Sequence, residues 1–445
     1  MKQVFSKIAG SIVAPQGFLA SGVFCDIKRL GTGKGSNKGT KRDLALIVSE
    51  VPARVAGLFT TNRVCAAPVK ACLARMARGR AQAIVVNSGN ANACTGRQGR
   101  RDAEAMAAFA AGKLHLTAAD VLVASTGRIG VTLPMDNVKD GITRASGLLG
   151  NAPAQGDEAA EAIMTSDTRP KQIAVELPLD GRRVRIGGIC KGAGMIQPGM
   201  SPNGRRPAAG LHATMLCFLT TDAAVEPACL RSLLTEAVAG SFNRITVDGD
   251  MSTNDSVLLL ANGLAGNAPL RNGGPPARRR DRIAFQTALN EVCLELARMI
   301  VKDGEGVTSF VTVRVNGARN AADADAAARA VANSSLVKTS WFGGDPNWGR
   351  IIAALGYSPA YTVEEKIDIG YSAPGDTRVL WSLRRGQPTA ATFPALCAAV
   401  AAREFDLHIR LNVGKAGAVI YASDLTEEYV DFNKGDVSDP ASLGG

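Results

Sequence analysis

Short apolar runs bounded by polar or turn residues recur along this chain, and stretches of helical period lie between them. Leu44–Ser49, Ala83–Val86 and Val121–Ser125 are such runs and read as buried strands. Arg101–Leu114 lies between the last two. It sets Ala, Met and Phe at helical spacing with Asp and Glu near its start, which reads as a helix. This alternation confines the fold to a mixed α/β class. Asp157–Met164 reads as a second helix, and Ile173–Leu177 with Arg183–Ile189 as a strand pair across Asp180-Gly181. A segment rich in Gly, Pro and Arg, Gln197–Leu211, breaks the pattern. The apolar strand Thr214–Thr221, the helix Glu226–Ala239 and the strand Ser256–Ala261 follow it. Beyond a second Gly/Pro/Arg loop, the long helix Arg282–Val301 is expected, with further helices at Ala321–Ala332, Asn347–Ala354 and Phe393–Arg403. Paired strands are expected around Leu407–Leu411 and Ala418–Ser423.

At 445 residues the chain has room for two or three lobes. No apolar run approaches the roughly 18–20 residues a membrane span needs, so no membrane partner is expected. MKQVFSKIAGSIVAPQGF at the N-terminus lacks a continuous apolar stretch and reads as folded chain, so a cytoplasmic location is expected. The nine cysteines are dispersed without any C-x-x-C, which fits reduced thiols. The net charge of +11 sits in Gly/Pro-rich segments such as Lys28–Arg42 and Arg278–Arg282, and aromatics make up only 5% of the chain. This pattern suits solvated loops and argues against a nucleic-acid partner.

The chemistry is narrowed by what is scarce. The three histidines are His115, which closes a helix, His408, which alternates within a strand, and His212. No His/Cys/carboxylate group has zinc spacing, and Val247–Asp255 lacks the glycine and closing Glu of a calcium loop. No metal is expected. Gly31–Ser36 cannot be laid over a phosphate-binding loop. What remains is HATMLCFLTTD, with a hydroxyl at the mouth of an apolar strand. Most threonines in such a place are structural, and an internal Thr hydroxyl is a poor nucleophile without a base. If the Ala213–Thr214 bond is cut, Thr214 carries its own base: a terminal amine, which ordinarily titrates at about 7.7–8.0.

Ten segments, in order, carry a resemblance nearly end to end. They are APQGFLASGVFCDIKR (Ala14–Arg29), FTTNRVCAAPV (Phe59–Val69), NSGNANACTG (Asn87–Gly96), STGRIG (Ser125–Gly130), MTSDTRPK (Met164–Lys171), KGAGMIQPGM (Lys191–Met200), ATMLCFLTTDA (Ala213–Ala223), VDGDMSTNDS (Val247–Ser256), VKDGEG (Val301–Gly306) and FGGDPNWGRI (Phe342–Ile351). With them the chain resembles the ornithine acetyltransferase family, whose fuller members are bifunctional glutamate N-acetyltransferases. The resemblance implies an N-terminal-nucleophile-like αββα sandwich with an additional smaller α/β lobe. It implies self-cleavage into fragments 1–213 and 214–445, the second including a C-terminal lobe over residues 310–445, and assembly as a heterotetramer of two α and two β fragments. It also implies ping-pong transfer of acetyl from N2-acetylornithine to glutamate through an acetyl-Thr214 ester, without a metal or organic cofactor. Acetyl-CoA stays open as a co-substrate.

By motif, the resemblance makes Thr214 the nucleophile, and Thr126 and Gly127 the oxyanion-hole pair. Thr165, Lys191, Thr214, Glu305, Asn433 and Ser438 become substrate-binding positions. The segment SPNGRRPAAGLH (Ser201–His212) departs from the family pattern, in which the KGAGM segment joins ATML directly. A loop of this size adds little closure entropy. Two readings of other classes remain beside the acetyltransferase: a self-cleaving amidase or aminopeptidase of the same fold, and a processing-defective relative acting as a binding or scaffold protein.

Overall fold

A computed structural model describes residues 5–28, 41–205 and 215–434. The chain divides into two compact units. One holds the residues up to Asn243 together with Asp250–Ile300; the other holds Arg244–Gly249 with Val301–Lys434.

The first unit is organised by a single long strand, Leu44–Thr60. Its first half runs between Phe18–Val23 and Arg80–Asn90; its second half pairs with Ser256–Ala261. A register shift between Val48 and Ala53 marks the change of partner. One strand thus passes from one set of neighbours to another, the usual way a corner is turned between two sheets. Beyond Arg80–Asn90 lies Val121–Arg128, in parallel. Beyond Ser256–Ala261 the order continues through Leu216–Thr221, Arg182–Lys191, Lys171–Leu179 and Ser6–Ile8. Residues from both halves, among them Ile47, Val85, Phe218 and Leu258, share one apolar core.

Helices cover the strands. Helix Pro276–Lys302 buries Phe285, Leu289, Val292, Leu296 and Ile300, a stripe at the three-to-four-residue spacing of an amphipathic helix. Helices Ala67–Met76, Gly96–Leu114 and Met135–Gly147 serve the strands on the other side of the corner, burying Cys72, Met106 and Ile142. The expected strand pair across Asp180-Gly181 is present. Both turn residues have positive φ, 51° and 73°, as a two-residue hairpin of matching twist requires.

The second unit is a seven-stranded sheet in the order Ile245–Thr246, Ala416–Ser423, Phe310–Ala318, Glu404–Arg410, Asp368–Ser372, Leu380–Arg384 and Gln387–Pro388. One expectation is corrected here. The terminal strands, Glu404–Arg410 and Ala416–Ser423, do not pair with each other, because Phe310–Ala318 lies between them. It runs parallel to the first and antiparallel to the second. Phe310–Ala318 alternates as FVTVRVNGA and turns Val311, Val313 and Val315 into the core of this unit, with both of its edges paired. Helix Ala321–Ala332 presents Ala324, Ala327, Ala328 and Val331 to the core of this unit.

The mixed α/β class, with layered sheets and helices and a smaller second unit, is what the sequence implied. All nine cysteines are unpaired. No helix among the described residues is long and apolar enough to cross a membrane.

Candidate active site

Strand Arg182–Lys191 ends on Lys191, whose register partner is Leu216 on the neighbouring strand. Lys191 is buried, 3% exposed, and its ammonium donates to the Thr165 hydroxyl at 2.6 Å and to the Thr126 hydroxyl at 3.3 Å. Three residues chosen from separate motifs therefore meet at one nitrogen. Gly127 follows Thr126 with φ of 127°, and the nearest atoms a Cβ there would meet are Gly89 C and Asn90 N, at 2.3 and 2.6 Å. Only glycine allows this backbone to lie so close to the adjacent strand.

The strand segment Ser125-Thr126-Gly127 is held by asparagines. Asn254 Nδ2 donates to the carbonyls of Ser125 and Ala91, each at 2.7 Å, and Ser125 Oγ donates to Asn87 Oδ1 at 2.6 Å. Asn87, Ala91, Ser125, Thr126 and Asn254 are buried, whereas Gly127 is exposed. These bonds fix the backbone that carries Thr126 and Gly127.

Beneath Lys191 lies a carboxylate that the motifs did not single out. Asp167 accepts from Lys171 Nζ at 2.6 Å, Gly192 N at 2.7 Å and Thr165 N at 2.9 Å, with Lys191 Nζ at 3.9 Å. Burial alone would raise its pKa, but the Lys171 and Lys191 charges and the Gly192 N–H outweigh it and hold the carboxyl well below its ordinary value. Asp167 fixes both Thr165, through its backbone, and Lys191, through charge.

Met215, the residue after Thr214, is pinned at both ends. Its N–H donates to Asp255 Oδ1, and its carbonyl accepts from Ser256 N at 3.1 Å. Asp255 is wholly buried, and burial pushes its carboxyl pKa well above the usual range, against the lowering influence of the Met215 N–H and Lys191. Asn254 and Asp255 both lie in the VDGDMSTNDS segment, and Asp167 lies in MTSDTRPK. The signal was there as motif membership, but nothing in residue type said which members were buried.

In the second unit, Glu305 and Asn433 come together: Asn433 Nδ2 donates to Glu305 Oε2 at 2.9 Å. Asn433 ends the helix Glu427–Asn433, whose capping residue Thr426 donates its hydroxyl to the Gly306 carbonyl at 2.7 Å. The Glu305-Gly306 turn is thereby tied to the start of the helix that carries Asn433. Ala213, Thr214, His212 and Ser438 lie outside the described residues, as does most of the basic segment Gly31–Lys41. Among the described residues, no group of three or more His, Cys, Asp or Glu side chains could hold a metal ion.

Comparison with known proteins finds relatives along nearly the whole chain. The ArgJ family matches residues 23–435. An arginine biosynthesis bifunctional protein ArgJ of Symbiobacterium thermophilum is 47% identical over 426 residues, covering 96% of this chain and 98% of that protein. A glutamate N-acetyltransferase of Methanocaldococcus jannaschii is 43% identical over 435 residues, covering 96% and 98%. A solved structure of ornithine acetyltransferase from Mycobacterium tuberculosis, complexed with ornithine, is 38% identical. It covers 44% of this chain and 100% of that one, with a TM-score of 0.40.

Proposed function

This chain belongs to the ArgJ family and is an acyltransferase of arginine biosynthesis; from that membership we propose that it works through Thr214, freed as an N-terminus by cleavage after Ala213. In the first half-reaction the Thr214 Oγ attacks the acetyl carbon of N2-acetylornithine while its α-amine takes the hydroxyl proton. The C–N bond breaks, ornithine leaves as the amine with that proton, and acetyl stays on Thr214 as an ester. Glutamate's amine then attacks the ester and departs as N-acetylglutamate, restoring the hydroxyl. No metal or organic cofactor enters these steps, and the reaction belongs in the cytoplasm.

Thr126 and Gly127 stabilise the oxyanion of each tetrahedral intermediate. Lys191 and Thr165 hold the substrate's polar groups, Lys191 as a cation for its carboxylate. Glu305, Asn433 and Ser438 are further substrate-binding groups. The observation that carries this reading is the Lys191 ammonium, bonded to the Thr126 and Thr165 hydroxyls on a strand in register with Leu216.

The topology also supports survival of the enzyme after cleavage. Strand Leu216–Thr221 of the 214–445 fragment pairs along its length with Arg182–Lys191 of the 1–213 fragment, and Ser256–Ala261 pairs with Leu44–Thr60. Each fragment contributes strands to the other's sheet, so a cut chain stays associated, and two such pairs form the α2β2 heterotetramer.

The test is acetyl transfer by purified protein given N2-acetylornithine plus glutamate, beside acetyl-CoA plus glutamate, with N-terminal sequencing of its fragments. A fragment beginning Thr-Met-Leu-Cys and formation of N-acetylglutamate in the first mixture are expected. The second mixture decides whether acetyl-CoA is also a donor. Release of free acetate without transfer to glutamate points to an amidase, and an intact, inert chain points to a binding protein.

A further inference from the structure

Lys338, in the second unit, is a buried cation that holds a turn. It sits on helix Ser335–Phe342, 3% exposed, and its ammonium donates to the Ser423 carbonyl and, at 3.4 Å, to the Ser423 hydroxyl. Its own carbonyl accepts the Leu425 N–H at 3.3 Å. Burial brings its pKa down to about 8, against the raising influence of Asp248 and Asp424, so the charge is kept there at a cost. Between those two anchors lies Asp424, also buried. Its Oδ1 accepts the Thr308 N–H at 3.0 Å, its Oδ2 accepts the Thr308 hydroxyl, and its N–H donates to the Ser309 carbonyl at 3.2 Å. Thr308 itself is exposed and follows the turn that carries Glu305. In that turn the Val307 N–H reaches back to the Gly304 carbonyl at 3.1 Å. Gly306 has φ of 65° and lies so near the helix Glu427–Asn433 that a Cβ there would be 2.5 Å from Tyr429 N. Two ties hold the turn in this place, Thr426 to Gly306 and Asp424 to Thr308.

We propose that Thr308, Asp424 and Lys338 are positioning residues for the Glu305 carboxylate and through it set selectivity for N2-acetylornithine, an inference that rests on the reading of Glu305 and Asn433 as substrate-binding groups. A carboxylate selects a cation by meeting it at hydrogen-bond distance, and slack of about 1 Å in its support forfeits much of that selectivity. Glu305 rides on a turn, and turns are the parts of a fold most free to open locally. Asn433 holds one oxygen of its side chain at 2.9 Å but leaves the backbone beneath it to other groups. Asp424 fixes that backbone two residues beyond Gly306, and Lys338 fixes Asp424 by holding the residue on either side of it. N2-acetylornithine carries one cation, its side-chain ammonium, and this is the group Glu305 can hold. The side chain of glutamate ends in a carboxylate and gains nothing from Glu305. Loosening the clamp should therefore weaken the first substrate alone and leave the acyl-transfer steps as they are.

Two substitutions test this in the full-length enzyme. Thr308→Val removes the hydroxyl bond to Asp424 at an exposed position, where folding is not at stake. Lys338→Met keeps the apolar stem and removes the ammonium. In each, KM for N2-acetylornithine is expected to rise about fivefold, while kcat and KM for glutamate stay within about twofold of wild type. Thr308→Ser keeps the hydroxyl and should restore the wild-type KM. In a Glu305→Gln background the same two substitutions should add less than about twofold, because the carboxylate they position is already gone. Wild-type KM in both Thr308→Val and Lys338→Met, an equal rise for the two substrates, or an undiminished rise in the Glu305→Gln background overturns the positioning role. Glu305→Gln with a wild-type KM for N2-acetylornithine overturns instead the substrate reading beneath it.

Discussion

Replacing Asp167 by asparagine leaves two ammonium groups in the interior without the carboxylate that balances them. The side chains of Asp167, Lys171 and Lys191 are 0%, 1% and 4% exposed, so water cannot screen what is lost. Removing one partner of a buried ion pair costs about 3–5 kcal/mol, chiefly because the remaining charge is uncompensated. The upper part of that range applies, since Asp167 also accepts the Gly192 and Thr165 N–H groups. For a unit of this size the loss corresponds to a fall in melting temperature on the order of 10 °C. Urea unfolding at pH 7 measures the difference directly. Because the folded-state pKa of Asp167 is depressed, its contribution is complete above the unfolded value of about 3.9 and is lost as the pH falls through that value and below. The gap between wild type and variant should therefore be flat from pH 6 to 8 and narrow in acid. Adding Lys171→Met should recover part of the stability, since it removes one of the two uncompensated buried charges. A loss under about 1 kcal/mol at pH 7, or a gap that widens in acid, would refute the claim that Asp167 is the charge that holds this site together.

Three further outcomes are expected. Gly127→Ala puts a methyl group 2.3 Å from the Gly89 carbonyl carbon at a φ of 127°, so kcat should fall at least about a hundredfold with KM little changed, measured by acetyl transfer to glutamate. Glu305→Gln should raise KM for N2-acetylornithine about tenfold or more while self-cleavage, read by mass spectrometry, proceeds normally. Lys28 is buried, and that burial brings its pKa down to about 8; the penalty on its charged form is full below that pH and disappears by about 10.4. Lys28→Met should accordingly raise the urea midpoint at pH 7, by up to about 3 kcal/mol in stability, with the advantage fading toward pH 10.

Elements with a clear period are legible in the sequence, and those that begin or run on without one are not. Helix Pro276–Lys302 starts six residues before the expected Arg282, because Pro-Ala-Arg-Arg-Arg-Asp has no apolar stripe; the proline at its first position is the only local sign. Strand Leu44–Thr60 runs past the expected end at Ser49, continuing through Glu50 and Arg54, whose side chains reach solvent while Val55, Leu58 and Phe59 return to the core. A strand that changes partners partway carries two patterns, and neither looks complete alone. Phe310–Ala318 escapes local pattern for a different reason. Its place between two later strands depends on pairing across about a hundred residues, which no short window of sequence reveals.

The site raises the same problem in a sharper form. Thr126, Thr165 and Lys191 could be named from their motifs, and they do meet, at the Lys191 ammonium. The groups that make their meeting useful could not be named, since their importance comes from burial. Asp167 and Lys171, four residues apart, look like an exposed ion pair, yet both are sealed inside and Lys171 opens a strand. Asp255 sits among polar residues that resemble a failed calcium loop, yet it is buried and accepts the Met215 N–H. The chain's excess of positive charge is of little use as a guide, and its expected place in loops is corrected for the run Arg278–Arg282, which lies in helix Pro276–Lys302. Two carboxyl groups lie in the interior here: burial raises the pKa of both, and in Asp167 the lysines outweigh it while in Asp255 they do not. Their opposite shifts follow from neighbours brought in by folding, and a reading of residue types alone gives both the same pKa.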